Sequence, residues 1–557
     1  MRALRTAART ARGPRGPACA LLAVASGLPL WAGAHASRLL GDDAFITLTV
    51  ARTLLQGDGL TYRGEPVLGT TTPLLAVLIA AVTRLVPHLD LPDAAVWTGA
   101  LAWLATGWLV YAGRRPLRLD RGAATAVALL VLCAGWTSVL GMETHLFSFL
   151  LVLAIVLALS PRPLAAGIAA GLLTLTRGEG ALLLPLLAAA LWLGGPATAA
   201  GPAARRAGRH LAPAVALRLR LELRLALGWT ATVAPYAIYA LLRFGSPLPN
   251  TLAAKLAQAA SGHWQPFAPD LLARWLPLWA ASWGPERWPL LNPVWWLTAV
   301  GLWFALTRDR ALLVLAGWAV AYVTAYTALG VPSYPWYSLP VLFVLQVLAA
   351  LGAVRLADLG ARRPPDRRDG APATDYATAG AGSVVAGPVA ARRWPALLSV
   401  MVVAYLAVAA AVPRLAAVGA DRGDRRAESY LALADWLREN VPHDESVAFV
   451  EVGYLGYFAP QRIVDLAGLV TPDVVDAVGR GDFASGFFRH QPGALVYLPE
   501  FDWALAGIVA DPRFSERYAR AATLPGPDGH PLTVYRRCAA EEPCAGTVAV
   551  EPTRQRW

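Results

Sequence analysis

The sequence predicts a mainly α fold: a polytopic membrane helix bundle of about 11 to 13 spans with a small α/β domain at its C-terminal end. Three observations carry that prediction. The 557 residues are 56% hydrophobic and only 15% charged, and their mean hydropathy of +0.46 exceeds what a soluble domain needs. Apolar stretches of roughly 14 to 21 residues recur along the chain, long enough or nearly so to cross the hydrocarbon. Beyond residue 414 the pattern changes to short mixed elements.

The elements follow in order. Residues 1–18 carry Arg2, Arg5, Arg9, Arg12 and Arg15 and form a basic N-terminus ahead of a retained first helix. Apolar stretches then fall near 19–37, 70–87, 94–113, 122–139, 145–160, 163–176, 180–194, 222–243, 291–307, 311–330, 338–358 and 395–413. The module thus runs over 19–413, with an outer loop at 38–69 and a cytoplasmic loop at 359–394, rich in Pro, Gly, Ala and charge. Between 264 and 303 stand eight of the 21 tryptophans, rings that favour the membrane interface. In 414–557, Ser429 to Asn440 has helical spacing, whereas Ser446 to Val450, Gly493 to Leu498 and Leu532 to Tyr535 are strand-like.

The net charge of +12 does not point to nucleic acid, because the arginines lie in short blocks between apolar segments. Arg205, Arg206 and Arg209 form one block, and Arg362, Arg363, Arg367 and Arg368 another. By the positive-inside rule both loops and the N-terminus are cytoplasmic, which puts 414–557 on the extracytoplasmic side. An inside N-terminus and an outside C-terminus demand an odd number of spans, so one of the twelve stretches is miscounted upstream of residue 195, or one is missed. Cys19 and Cys133 lie in apolar segments and are expected to pack there. Cys538 and Cys544 are close enough for a small disulfide on an oxidising side.

An acidic pair, Asp42 and Asp43, follows the first apolar stretch. Phe45, Leu48, Arg52 and Leu55 fit one face of a short helix lying on the membrane, and one aspartate would cap its N-terminus. Capping does not explain both. A second carboxylate raises the proton affinity of the pair and suits a general base. Further on, Glu143 is polar among apolar residues, either a ligand for substrate or metal or a helix-start residue. Arg177 ends an apolar segment and is followed by Glu179, which suits a buried ion pair as well as a substrate contact. His145 reads as a packed histidine and Asp465 as a turn residue.

The run Asp42-Asp43-Ala44-Phe45-Ile46, then Ala51-Arg52-Thr53-Leu54 and Gly57-Asp58-Gly59-Leu60, resembles the first outer loop of GT-C membrane glycosyltransferases. Gly141-Met142-Glu143-Thr144 and Leu175-Thr176-Arg177-Gly178-Glu179-Gly180 resemble that family's next elements, with Gly178 where proline is usual. Pro247-Leu248-Pro249-Asn250-Thr251 with Ala254-Lys255, the aromatic Tyr334-Pro335-Trp336-Tyr337, and Asp465-Leu466-Ala467-Gly468-Leu469-Val470 complete the series. Within the family the likeness is greatest to actinobacterial arabinofuranosyltransferases and mannosyltransferase-like members.

The resemblance implies an inverting glycosyltransferase of a bacterial plasma membrane. It would move arabinofuranose, mannose or a similar sugar from a polyprenyl-phosphate donor to a cell-envelope glycan, lipid or protein acceptor. Asp42 is expected as base and Asp43 as its partner. Glu143, Arg177, Glu179, Asn250, Thr251, Lys255, Trp336 and Tyr337 are expected at the substrate, Lys255 foremost as the cation that meets the departing phosphate. The residues themselves agree in lacking a nucleotide-binding unit such as a strand followed by Gly-x-Gly-x-x-Gly. No cofactor is firmly implied, although outer-surface carboxylates suit a divalent ion. A transporter or flippase of lipid-linked saccharides is the competing reading; it predicts ionisable residues within the spans and an internal repeat. An envelope-assembly scaffold would have no need of the acidic pair.

Overall fold

The computed structural model describes residues 16–36, 40–193, 211–283, 292–307, 312–361, 394–419 and 423–538. The arginine blocks before residue 16, at 205–209 and at 362–368, most of the 359–394 loop, and Cys544 lie outside the described residues.

Each of the twelve apolar stretches forms a helix. In order they are α1 (Gly16–Ala25) and α2 (Gly27–His35), which share the first stretch around Ser26, then α3 (Asp42–Gln56), which is not one of the twelve, and α4 (Pro73–Leu85). Next come α5 (Leu91–Ala112), α6 (Arg121–Cys133), α7 (Thr144–Ala158), α8 (Pro163–Thr176), α9 (Leu183–Leu193) and α10 (Leu211–Phe244). After α11 (Asn250–Ser261) the bundle ends with α12 (Pro293–Thr307), α13 (Leu313–Ala328), α14 (Pro335–Ala361) and α15 (Trp394–Gly419).

Four of these segments, Gly16–His35, Leu91–Ala112, Val215–Phe244 and Pro335–Leu356, are long and apolar enough to cross a membrane, and the other apolar helices have 10–17 residues. Twelve such helices lie among the described residues, an even number where termini on opposite sides would need an odd one.

The bundle closes where small residues let backbones meet. A Cβ at Gly301 of α12 would collide with the Leu348 carbonyl of α14, and one at Gly352 of α14 with the Leu297 carbonyl of α12. Such glycine contacts replace the hydrophobic drive that helices lack inside lipid. Helices α5 and α6 start on Asp90 and Asp120, whose carboxylates accept the N–H of Asp93 and of Ala123 at 2.8 and 2.9 Å.

The tryptophan-rich stretch is helical over Phe267–Asp270, Leu271–Trp275 and Leu276–Ala281. Several of its rings meet protein rather than an interface. Trp279 and Trp283 are buried, and Trp264 packs edge-on against Trp503 of the C-terminal domain.

That domain holds α16 (Ala427–Asn440), β1 (Ser446–Phe449), α17 (Gly453–Phe458), β2 (Arg462–Asp465), α18 (Phe483–His490), β3 (Ala494–Tyr497), α19 (Asp502–Val509), β4 (Tyr518–Pro525) and β5 (Pro531–Arg537). The expected helix and three strands are present. Sequence reading missed β2 and β4: β2 is four residues long, and β4 alternates alanines with polar residues. The five strands form one mixed sheet in the order β2-β1-β3-β5-β4. Strand β1 runs parallel to β2 and β3, pairing Val447 with Ile463 and with Ala494, while β5 is antiparallel to β3 and β4.

Side chains alternate across the sheet as period two requires. Val447, Phe449, Ala494 and Val496 belong to a core shared with α16 and continuous with the bundle. Ala448, Val464 and Leu495 pack under Phe487 and Leu505 on the other face. The segments leaving the carboxyl ends of β1 and β2, around Glu451 to Tyr454 and Leu466 to Val470, are among those that touch the bundle.

Candidate active site at the junction of bundle and C-terminal domain

Helix α3 carries the acidic pair but is not capped by it. Its N-cap is Gly41, and neither aspartate bonds back to its own first turn. It does not lie on lipid either, because Ala44, Phe45, Leu48 and Ala51 are buried and Arg52 reaches the outer domain. The Arg52 guanidinium sits 3.5 Å above the Tyr457 ring and donates to the Tyr457 carbonyl at 2.8 Å. The Gly57-Asp58-Gly59 motif ends the helix, since Gly57 and Gly59 take φ of +96° and +78°, which favour glycine.

The two acids have different surroundings. The Asp42 carboxylate is 4% exposed and accepts the backbone N–H of Gly453 at 3.0 Å and of Tyr454 at 2.8 Å, one on each oxygen. Burial, followed by the charge of Asp43, pushes its pKa up to about 6 in spite of those bonds. Asp43, half-buried, makes no hydrogen bond or ion pair among the described residues. Burial raises its pKa too, while Lys255 and Arg426 pull it down and Glu143 and Asp424 push it up.

Facing Asp43 is Lys255 of α11, which is 8% exposed and has no carboxylate within ion-pairing distance among the described residues. Its ammonium rests 3.6 Å from the centroid of the Tyr334 ring. Burial drops its pKa to about 8, against the pull of Asp43 and Asp465. One turn earlier on the same helix, the Thr251 hydroxyl is buried without a partner. Asn250, by contrast, holds the C-terminal domain with its amide nitrogen. Its amide donates to the carbonyls of Gly468 and Leu469 at 2.8 and 2.9 Å, and Gln258 donates to Ala467 at 2.9 Å. Asp465 is the turn residue of that same loop, accepting from Ala467 and Val470.

Arg177 is a saturated hub. It pairs with Glu179 at 2.5 Å and Glu143 at 3.4 Å, and donates to the Trp336 carbonyl and the hydroxyls of Tyr322 and Tyr326 at 3.2, 3.3 and 3.1 Å. Tyr326 also donates to Glu179 at 2.9 Å. Arg177 therefore acts on Glu143, Trp336 and Tyr337 by fixing them, and has no donor left for an external anion. Tyr334 and Trp336 stack at 5.1 Å, and the Tyr337 carbonyl accepts from Tyr322 at 2.9 Å. His145 is packed, stacked on Trp103 with a ring nitrogen 3.1 Å from the Trp136 carbonyl.

Asp42 and Glu143 are not free to hold a divalent cation, which leaves Asp43 as the one open carboxylate of the pair. Among the described residues no three His, Cys, Asp or Glu side chains form a metal-binding group. Both Asp42 oxygens are taken by N–H groups, and Glu143 faces a guanidinium. Cys538 is disulfide-bonded.

Sequence reading missed a third layer, contributed by the outer domain. Arg426 pairs with Asp424 at 2.6 Å and also with Glu451, and Glu451 accepts from the Tyr430 hydroxyl. The Asp424 carboxylate accepts the Asp42 backbone N–H at 3.3 Å. Burial first, then the charge of Asp42, raises Glu451 to about 8. For Asp424 the bonds to Arg426 outweigh burial and hold its pKa below the usual range. The signal available was a cluster of charge at 421–428, which reads as a solvated linker until the domain is folded back onto α3.

Residues 420–539 match a family model described as "Domain of unknown function (DUF8728)". No curated protein matches the sequence. Among solved structures the chain is similar to ArnT from Cupriavidus metallidurans bound to undecaprenyl phosphate, at 16% identity over 95% of this chain and 99% of that one, with a TM-score of 0.50. It is also similar to the Archaeoglobus fulgidus oligosaccharyltransferase in complex with Zn and sulfate, at 13% identity over 90% of this chain and 72% of that one, with a TM-score of 0.53. Archaeal oligosaccharyltransferase AglB, in complex with an inhibitory peptide and a dolichol-phosphate, gives 13%, 94%, 75% and 0.52 in the same order. The shared feature is the fold, a helix bundle followed by a C-terminal domain.

Proposed function

We propose that this membrane protein is a GT-C glycosyltransferase that moves a sugar from a polyprenyl-phosphate donor to an extracytoplasmic acceptor. The carrying observation is the Lys255 ammonium, buried against the Tyr334 ring with no carboxylate in ion-pairing reach among the described residues, beside a Thr251 hydroxyl that has no partner among them, and facing Asp43. A buried charge without a partner is costly, so a site that retains one is built for a ligand of opposite sign. Neighbours of the same fold are bound to undecaprenyl phosphate and dolichol-phosphate, the donor class that this arrangement suits. An open, mainly apolar cavity of about 480 Å³ runs along α11 past Leu248, Leu252 and Leu256, in keeping with a lipid tail.

In the reaction an acceptor hydroxyl attacks the anomeric carbon as the bond from that carbon to the phosphate oxygen breaks, inverting the centre. The hydroxyl proton passes to a carboxylate, and the polyprenyl phosphate leaves with its negative charge toward Lys255 and Thr251. Sequence reading gave the proton to Asp42. We assign it to Asp43, because Asp42 has both oxygens held by backbone N–H groups and Asp43 has neither held. The sugar is arabinofuranose, mannose or a close relative and the acceptor a cell-envelope glycan, lipid or protein. The membrane is the bacterial plasma membrane, with the N-terminus inside and the C-terminal domain outside.

The test is transfer by purified protein in lipid nanodiscs, supplied in parallel with polyprenyl-phosphate arabinose, mannose and glucose and an envelope-glycan acceptor. A glycosidic product from one donor is expected. Movement of intact lipid-linked sugar across vesicles with no product from any donor would instead identify a transporter.

A further inference from the structure

Residues 423–538, most of the stretch that matches a domain of unknown function, sit against the acidic pair through groups that the transfer reaction does not use. Both Asp42 oxygens end on backbone N–H groups of that domain, and the Asp42 N–H ends on Asp424. The approach is so close that a Cβ at Gly453 would collide with the Asp42 carbonyl. Tyr454 donates to the Leu40 carbonyl at 2.7 Å, just ahead of the pair. Arg426 then joins Asp424 to Glu451, so one cation and two further carboxylates surround two aspartates, only one of which is free to react.

Resting on the glycosyltransferase reading above, we propose that the outer domain positions and tunes the acidic pair. Asp42 is the anchor, Gly453 the residue whose missing side chain admits it, and the Arg426–Asp424 ion pair sets the charge felt by Asp43.

The charged groups facing Asp43 come from every element around it. Asp42 is its neighbour on α3, Lys255 lies on α11, Glu143 precedes α7, and Arg426, Asp424 and Glu451 belong to the outer domain. Transfer requires Asp43 ionised, so turnover falls on the acid side as pH drops through its pKa. Removing Arg426 takes away a cation that favours the carboxylate and moves that limb to higher pH. Removing the charge of Asp424 takes away an anion that disfavours it and moves the limb to lower pH. At this range each shift is about one pH unit or less.

The experiment measures kcat and donor KM against pH for the full-length protein in nanodiscs, as the parent and as Arg426→Gln, Asp424→Asn and Gly453→Ala. Exposed Arg513→Ala serves as the control. Expected are opposite shifts of the acid limb in Arg426→Gln and Asp424→Asn, and at least a tenfold fall in kcat with donor KM little changed in Gly453→Ala. A domain that only stabilises the fold lowers the amount of active protein but does not shift the limb in two directions. Should Gly453→Ala fail to fold, the two charge-removing variants still decide the matter. Parent-like limbs in both, or a change confined to KM, overturn the proposal while leaving the transferase reading intact. A parent protein that makes no glycosidic product overturns that reading itself.

Discussion

Among the described residues Asp43 and Lys255 have no ion-pair partner, and replacing them separates catalysis from stability. Asp43→Asn is expected to cost roughly 10²- to 10⁴-fold in turnover, the range for losing a general base, with thermal unfolding close to the parent. Asp42→Asn should behave differently. An amide cannot accept two N–H bonds on separate oxygens, so about 1–3 kcal/mol of stability should go with its partial loss of activity, seen as a lower unfolding temperature. If Asp42→Asn proved inactive yet fully stable while Asp43→Asn stayed active, the roles would be reversed. Lys255→Met should abolish transfer yet raise the unfolding temperature, since relieving an unpaired buried ammonium is worth on the order of 1–3 kcal/mol. A destabilised Lys255→Met would show that the contact with the Tyr334 ring outweighs the cost of burying the ammonium. The residue types and their order were legible in the sequence, but their partners were not. Asn250 looks like a ligand in its motif and is a strut, because only the folded chain brings Gly468 and Leu469 to its amide.

At the level of elements, apolar periodicity located the helices to within a few residues over most of the bundle, because lipid demands a long apolar surface and little else competes with that signal. It failed for α3. An amphipathic helix of 15 residues reads as interfacial, whereas here its apolar side chains are sandwiched between the bundle and α17. Local sequence carries no mark of a partner four hundred residues away. Helix α11 has a comparable duty at its other end, gripping the loop after β2 through Asn250 and Gln258. Asn250→Ala removes two hydrogen bonds to buried carbonyls and should cost about 1–2 kcal/mol. Hydrogen exchange should quicken at 466–470 while the amides of β3 and β5 keep the parent rate; uniform protection across the mutant would show that the grip is dispensable.

For the whole molecule, burial dominates three outer carboxyls in the same sense. Asp42 and Asp465 are pushed up to about 6 and Glu451 to about 8, so each holds its proton more tightly folded than unfolded. Their contribution to stability is complete below the unfolded values near 4 and is lost as pH rises through 6 to 8. Asp424, depressed by Arg426, works the other way and only below the ordinary carboxylate range. The unfolding temperature is therefore expected to fall between pH 5 and pH 8 for the parent, and to fall less for Glu451→Gln. A pH dependence in Glu451→Gln identical to that of the parent would contradict the burial of Glu451.

The seam between bundle and outer domain also restricts how the protein can be rebuilt. Leu40, Asp42, Arg52, Tyr62 and Arg63 all bond groups between Val452 and Pro460, and because all but the Tyr454 hydroxyl are backbone atoms, what is specific is where the backbone runs. A chimera that imports a foreign outer domain onto this bundle would set unmatched backbone against every one of them. A chimera that transplants residues 40–65 together with 423–538 would carry both halves of the lock, so these two distant stretches form a single exchangeable cassette.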